Sequence, residues 1–180
     1  MGSVSLGVSL LVLVLAGVLY VAARRPDTFR VVRKAVIAAP AEAIFPHLND
    51  FRAWAAWSPW ERKDPAMQRT FGDRTEGAGA FYGWEGNKQV GKGSMTITES
   101  VSPVRLALQL DFEKPMKASN RVEFSLVPVA GGTEVVWSMS GKANLMSKVM
   151  DMVIGMDKMV GPDFEAGLAN LKAVSEKPVA

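Results

Sequence analysis

The sequence predicts an α+β domain: a curved, seven-stranded antiparallel sheet closed by a long C-terminal helix. Two short helices follow the first strand, and one N-terminal transmembrane helix precedes it. Three observations carry this prediction. Between residues 67 and 141, six short segments alternate apolar and polar residues with period two and are separated by turn residues. From residue 144 the spacing becomes helical, and no other segment is long enough to cover one face of such a sheet. At the N-terminus, the twenty residues Val4 to Ala23 carry no charge, enough helix for a ~30 Å hydrocarbon layer.

The N-terminal run differs from a secretory signal, which has a basic start, a shorter apolar stretch and a small-residue cleavage site. Val21-Ala22-Ala23 keeps cleavage, with an exported or periplasmic product, as the alternative. Arg24, Arg25, Arg30, Arg33 and Lys34 follow the run against Asp27 alone, so the positive-inside rule places the bulk of the chain in the cytoplasm. The expectation is a single-pass membrane protein, with anchor and basic tether over 1–28 and a soluble domain over 29–180. The whole chain carries +3; residues 24–34 hold five positive charges and one negative, leaving about −1 elsewhere. No basic surface fit for nucleic acid lies beyond the tether, which itself suits anionic lipid headgroups.

The first strand is "FRVVRKAVI" (29–37), rich in β-branched residues. Ala39-Pro40 opens a short helix with Ile44, Phe45 and Leu48 on its apolar face, because proline suits the first helical turn. Asp50 is placed to cap a second short helix reaching Trp57. Leu106, Leu108, Leu110 and Phe112 then share one strand face, as do Val122, Phe124 and Leu126, and Val135, Trp137 and Met139. Gly131-Gly132 marks a hairpin. In the terminal helix, Asn144 is the expected cap, Gly161-Pro162 the expected break or kink, and Phe164, Leu168 and Leu171 the continuing apolar face.

Much chemistry is excluded. The chain has no cysteine and one histidine, which removes thiolate nucleophiles, disulfides and most zinc constellations, and no cofactor motif is present. "GNKQVGKGS" (86–94) nearly matches a phosphate-binding loop, but Gly93 replaces the hydroxyl residue and strand-like "MTITES" follows where a helix is required. The polar groups left for catalysis are Glu99, Glu85, Tyr82 and His47. Glu99 is in phase with Met95 and Ile97, which points it inward unless a bulge intervenes; a buried carboxylate has a raised pKa.

"WAAWSPW" (54–60) packs three of the five tryptophans into seven residues, and five of the ten methionines, Met146, Met150, Met152, Met156 and Met159, fall in the terminal helical region. Aromatic rings enclose apolar ligands, and methionine adapts to varied apolar shapes; both residue types also fill ordinary cores. Strand phase and element placement give candidate ligand contacts at Trp57, Phe81, Trp84, Met95, Leu108, Met116, Trp137, Met139, Met150, Val153 and Met156.

These blocks carry a resemblance. "VIAAPAEAIFPHLNDFRAWAAWSPW", "WEGNKQVGKGSMTITE", "FEKPMKASNRVEFSLVPVAGGTEVVWSMSG" and "MDKMVGPDFEAGLANLK" resemble, in order, the SRPBCC superfamily of START, Bet v 1-like and polyketide cyclase/dehydrase proteins, in its bacterial membrane-anchored branch. The resemblance spans roughly 29 to 175 and implies a helix-grip fold with a cavity between sheet and terminal helix. It also implies a hydrophobic small molecule or lipid as partner, and it brings no universal catalytic motif. The expected function is binding of such a molecule beside the membrane. The alternatives are a cyclase/dehydrase-like enzyme with a polar group in the cavity, and a cochaperone-like interaction module with a filled core.

Overall fold

The computed structural model describes residues 2–143, 145–153 and 155–177, with the side chains of 2–6, 9, 11, 146 and 153 outside the description. Asn144, the expected cap, therefore lies outside the described residues. Helix α1 (Gly2–Ala23) leads into β1 (Thr28–Ile37), α2 (Ala41–Asn49), a 3-10 turn (Phe51–Ala56) and α3 (Pro59–Lys63). Six strands follow: β2 (Gln68–Phe71), β3 (Phe81–Glu85), β4 (Lys92–Val101), β5 (Arg105–Lys114), β6 (Ala118–Val129) and β7 (Gly132–Lys142). Helices α4 (Leu145–Val153) and α5 (Met156–Ser175) end the chain.

The seven strands form one antiparallel sheet ordered β1-β7-β6-β5-β4-β3-β2, a meander with β1 added beside β7. Period-two patterning places the apolar residues as expected. Leu106, Leu108, Val122, Phe124, Leu126, Val135, Trp137 and Met139 are all buried on the face that α5 covers through Phe164, Leu168 and Leu171. The β6–β7 hairpin closes at Gly131, whose φ of 86° is a left-handed conformation that glycine adopts without strain. This is the helix-grip arrangement.

Two expectations about helices change. The terminal helix is broken at Gly155 (φ 85°) rather than at Gly161-Pro162. Helix α5 runs through Pro162, which forfeits one ladder bond without ending it. Gly161 serves a close approach instead. Asp157, Gly161 and Glu165 recur at i, i+4 and i+8 on one helix face. The Arg33 guanidinium of β1 lies across that glycine, donating to Glu165 Oε1 at 2.6 Å and to both Asp157 oxygens at 2.7 and 2.8 Å. A Cβ at Gly161 would collide with it.

The N-terminal expectation is overturned. Among the described residues no helix is long and apolar enough to cross a membrane. The single-pass anchor over Val4–Ala23, and the cytoplasmic placement that followed from it, are withdrawn. The C-terminal end of α1 packs on α4, with Ala22 fully buried and Arg25 paired to Asp151 at 2.7 Å.

Candidate functional site

The tryptophan-rich segment sets the geometry of the interior. Asp50 accepts a hydrogen bond from the Arg52 N–H at 2.9 Å and starts the 3-10 turn. Residues three apart eclipse in such a turn, so Trp54 and Trp57 point the same way. Trp57 is fully buried, its ring 4.9 Å from Trp54 and 5.6 Å from Trp137, and its N–H donates to the His47 carbonyl at 2.8 Å. Extended Ser58 and then Pro59, the first residue of α3, redirect the chain. Trp60 consequently meets Trp137 and Phe164 edge-on, with ring centroids at 6.0 and 6.3 Å.

Beyond Trp60 the core gives way to a cavity of about 730 Å³, between the concave face of β3–β7, helix α3, and helices α4 and α5. Such a volume suits a drug-sized or lipid-sized apolar ligand. Its aromatic wall includes Trp54, Trp60, Tyr82, Trp84, Trp137 and Phe164. Its other wall is methionine: Met67, Met95, Met116, Met139, Met150, Met156 and Met159, seven of the ten in the chain. Thioether side chains reshape at little cost, so this wall is compliant where the aromatic one is rigid. Met116 in the β5–β6 connection is 51% exposed and Met159 42%, so the cavity reaches the surface between them.

Polar groups are few and mostly paired. Tyr82 donates to Glu61 Oε1 at 2.7 Å, and Arg69 pairs with Glu61 Oε2 at 2.7 Å. Lys63 pairs with Asp163 at 2.6 Å, bridging α3 to α5 across the rim. Asp27 is held by Lys148 of α4, and that pairing keeps the Asp27 carboxyl below its ordinary range. The Trp137 indole N–H is buried without a hydrogen-bond partner among the described residues.

A family model described as polyketide cyclase / dehydrase and lipid transport matches residues 28–176. The chain belongs to that family. With the fold and the cavity, this membership makes the matched region a ligand-binding SRPBCC domain. No curated protein matches the sequence. Among solved structures, the SRPBCC chain is similar to protein CV1439 from Chromobacterium violaceum, at 18% identity, 85% of this chain, 99% of that one and a TM-score of 0.58. It is also similar to the Aha1 dimer from Colwellia psychrerythraea, at 16% identity, 84% and 99% coverage and a TM-score of 0.58. DynU16, a protein of the dynemicin biosynthetic locus, matches at 16% identity and a TM-score of 0.57, over 85% of this chain and 48% of that one. At these identities the structures share the fold. None of these matches supports the membrane-anchored branch, and the assignment rests at the superfamily.

In the SRPBCC domain the sequence-derived contacts divide. Trp84, Met95, Leu108, Met116, Trp137, Met139, Met150 and Met156 line the cavity. Trp57 does not; it lies in the packed core beneath. Phe81 does not either, because period two turns Tyr82 and Trp84 inward together and leaves Phe81 36% exposed. The Val153 side chain lies outside the described residues. Trp60 and Trp54 line the cavity and were missed, since the sequence does not reveal where a 3-10 turn gives way to a helix.

Of the polar candidates only Tyr82 reaches the cavity. Glu99 is turned outward by a bulge between Ile97 and Glu99 and meets Arg105 and Arg121. Glu85 sits outside between Lys92 and Lys114, whose hydrogen bonds hold its carboxyl below the usual range. His47 is on the outer side of α2, with burial lowering its imidazole below the ordinary value.

Burial first, and then the Glu61 hydrogen bond, push the Tyr82 phenol well above the usual tyrosine range. A folded-state value raised above the unfolded one stabilises the fold below the ordinary tyrosine pKa, and that contribution is lost as pH rises through the folded value. An ultraviolet titration of the two tyrosines is expected to show one late, unfolding-linked phase that Tyr82→Phe removes.

Proposed function

We propose that the domain binds a hydrophobic small molecule or lipid in the cavity, with residues 29–180 as the binding unit and 1–28 as a separate N-terminal segment. The observation that carries this reading is a void of about 730 Å³ walled by aromatic and methionine side chains in an otherwise packed core. A filled-core interaction module lacks such a void, so that alternative is set aside. Support for the division of the chain comes from the family match beginning at residue 28, where β1 also begins. Cyclase or dehydrase chemistry is disfavoured because Tyr82, the one polar candidate on the wall, has its hydroxyl committed to Glu61.

Native mass spectrometry of the full chain, purified from cells, is expected to show a bound apolar molecule that denaturation releases. A ligand-free spectrum that also stays unchanged after incubation with a panel of fatty acids, sterols and aromatic polyketides would falsify the reading.

A further inference from the structure

We infer that the ligand is an anionic amphiphile: an apolar body in the cavity and one carboxylate at the end where β6 begins and β7 finishes, met by the Asn120 amide and flanked by Lys117 and Lys142. The inference rests on the cavity being a ligand site and specifies which molecules it takes.

Asn120 lines the cavity on the same strand face as Val122 and Phe124 and is 6% exposed. Among the described residues no side-chain hydrogen bond involves Asn120, and its amide atoms are not among the fully enclosed unpartnered ones, so the amide opens onto the cavity. Its register partner is Gly141, where a Cβ would collide with Asn120 Oδ1. The amide oxygen therefore rests against the β7 backbone, and the NH2 is the group left to meet a ligand acceptor.

The charges on the wall are unevenly matched. Each carboxylate already has a cation: Asp27 has Lys148, Glu61 has Arg69 and Asp163 has Lys63. Lys117 and Lys142 also line the cavity and have no acidic partner among the described residues. Both stand at the Asn120 end, Lys117 just before β6 and Lys142 directly after Gly141. With Asp27 and Lys148 cancelling, the charges left on the cavity wall at that end are Lys117 and Lys142, and Asp111 lines a neighbouring surface pocket beside Lys117. A carboxylate accepts from an amide N–H and from ammonium groups at once, and charge-assisted bonds of this kind are about twice as strong as neutral ones.

Calorimetric titration of the full chain with dodecanoate, dodecanol and dodecylamine tests this with one tail and three headgroups. The acid is expected to bind at least about tenfold tighter than the alcohol. Asn120→Leu should remove most of that advantage while alcohol binding persists. Lys117→Glu with Lys142→Glu, both at exposed positions, should invert the order in favour of the amine with the melting temperature unchanged. If the wild type binds acid and alcohol alike, or prefers the amine, the headgroup inference is overturned and the cavity reading survives. It is equally overturned if acid preference persists in all the variants. If none of the three probes binds, the headgroup inference is overturned, and the cavity reading is decided by the native mass spectrometry with sterols and polyketides.

Discussion

Replacing Trp57 with alanine is expected to cost about 3–5 kcal/mol of folding stability, the range for emptying a fully buried tryptophan site. Domains of this size are stable by about 5–15 kcal/mol, so the variant would lose about a fifth or more of that reserve and about 6 °C or more in melting temperature. The ring is fully buried and contacts Trp54, Phe124 and Trp137. It also supplies the N–H that the His47 carbonyl accepts. Trp60→Ala makes the informative contrast. Trp60 is only partly buried and borders space that is already empty, so its loss should cost no more than about half as much. Urea unfolding of the two variants beside the wild type checks both, and equal losses would show that Trp57 and Trp60 do not differ in role.

The second large effect is expected on binding. Leu110 on β5 and Met139 on β7 face the cavity from either side of β6. Tryptophan at both positions places two indoles across the middle of the void. Affinity for the uncharged dye N-phenyl-1-naphthylamine should fall at least about a hundredfold, as bulk replaces the apolar space the dye occupies. The fold should survive, because the new rings enter existing volume rather than packed core, and overpacking costs typically about 1–3 kcal/mol. Fluorescence titration with the dye and a melting curve on the same sample separate the outcomes. Undiminished dye binding in a folded double variant would mean that the cavity is not where apolar molecules go.

The sheet was legible in the sequence because period-two alternation is a local signal, and Leu106, Leu108, Val122, Phe124, Val135 and Trp137 each obey it. The Gly131-Gly132 hairpin was legible for the same reason: the turn chemistry lies in the residues themselves. What was hidden depended on where one periodicity stops and another starts. The bulge at Ile97/Glu99 reverses the direction of one carboxylate, and the 3-10 turn sends Trp54 and Trp57 inward before Ser58-Pro59 re-aims Trp60. Phe81 was a failure of phase, since Tyr82 and Trp84 cannot share a face with it. At Gly161-Pro162 local propensity reads as a helix end, but the Arg33 clamp on Asp157 and Glu165 holds the helix across it. Asn120 carries no signal by composition, because a strand asparagine reveals its missing partner only once its neighbours are in place.

Labour is divided along the C-terminal helical region, and the divide falls within α5 rather than at the Gly155 break. The later part, through Phe164, Leu168 and Leu171, is bound to the tryptophan core. The earlier part contributes Met150, Met156 and Met159 to the cavity. Substitutions that change what the domain recognises therefore fall on a different stretch from those that decide whether it folds. A lineage with this architecture is free to exchange one cargo for another by drifting at its methionines, while the clamp at Arg33 and the packed rings stay as they are.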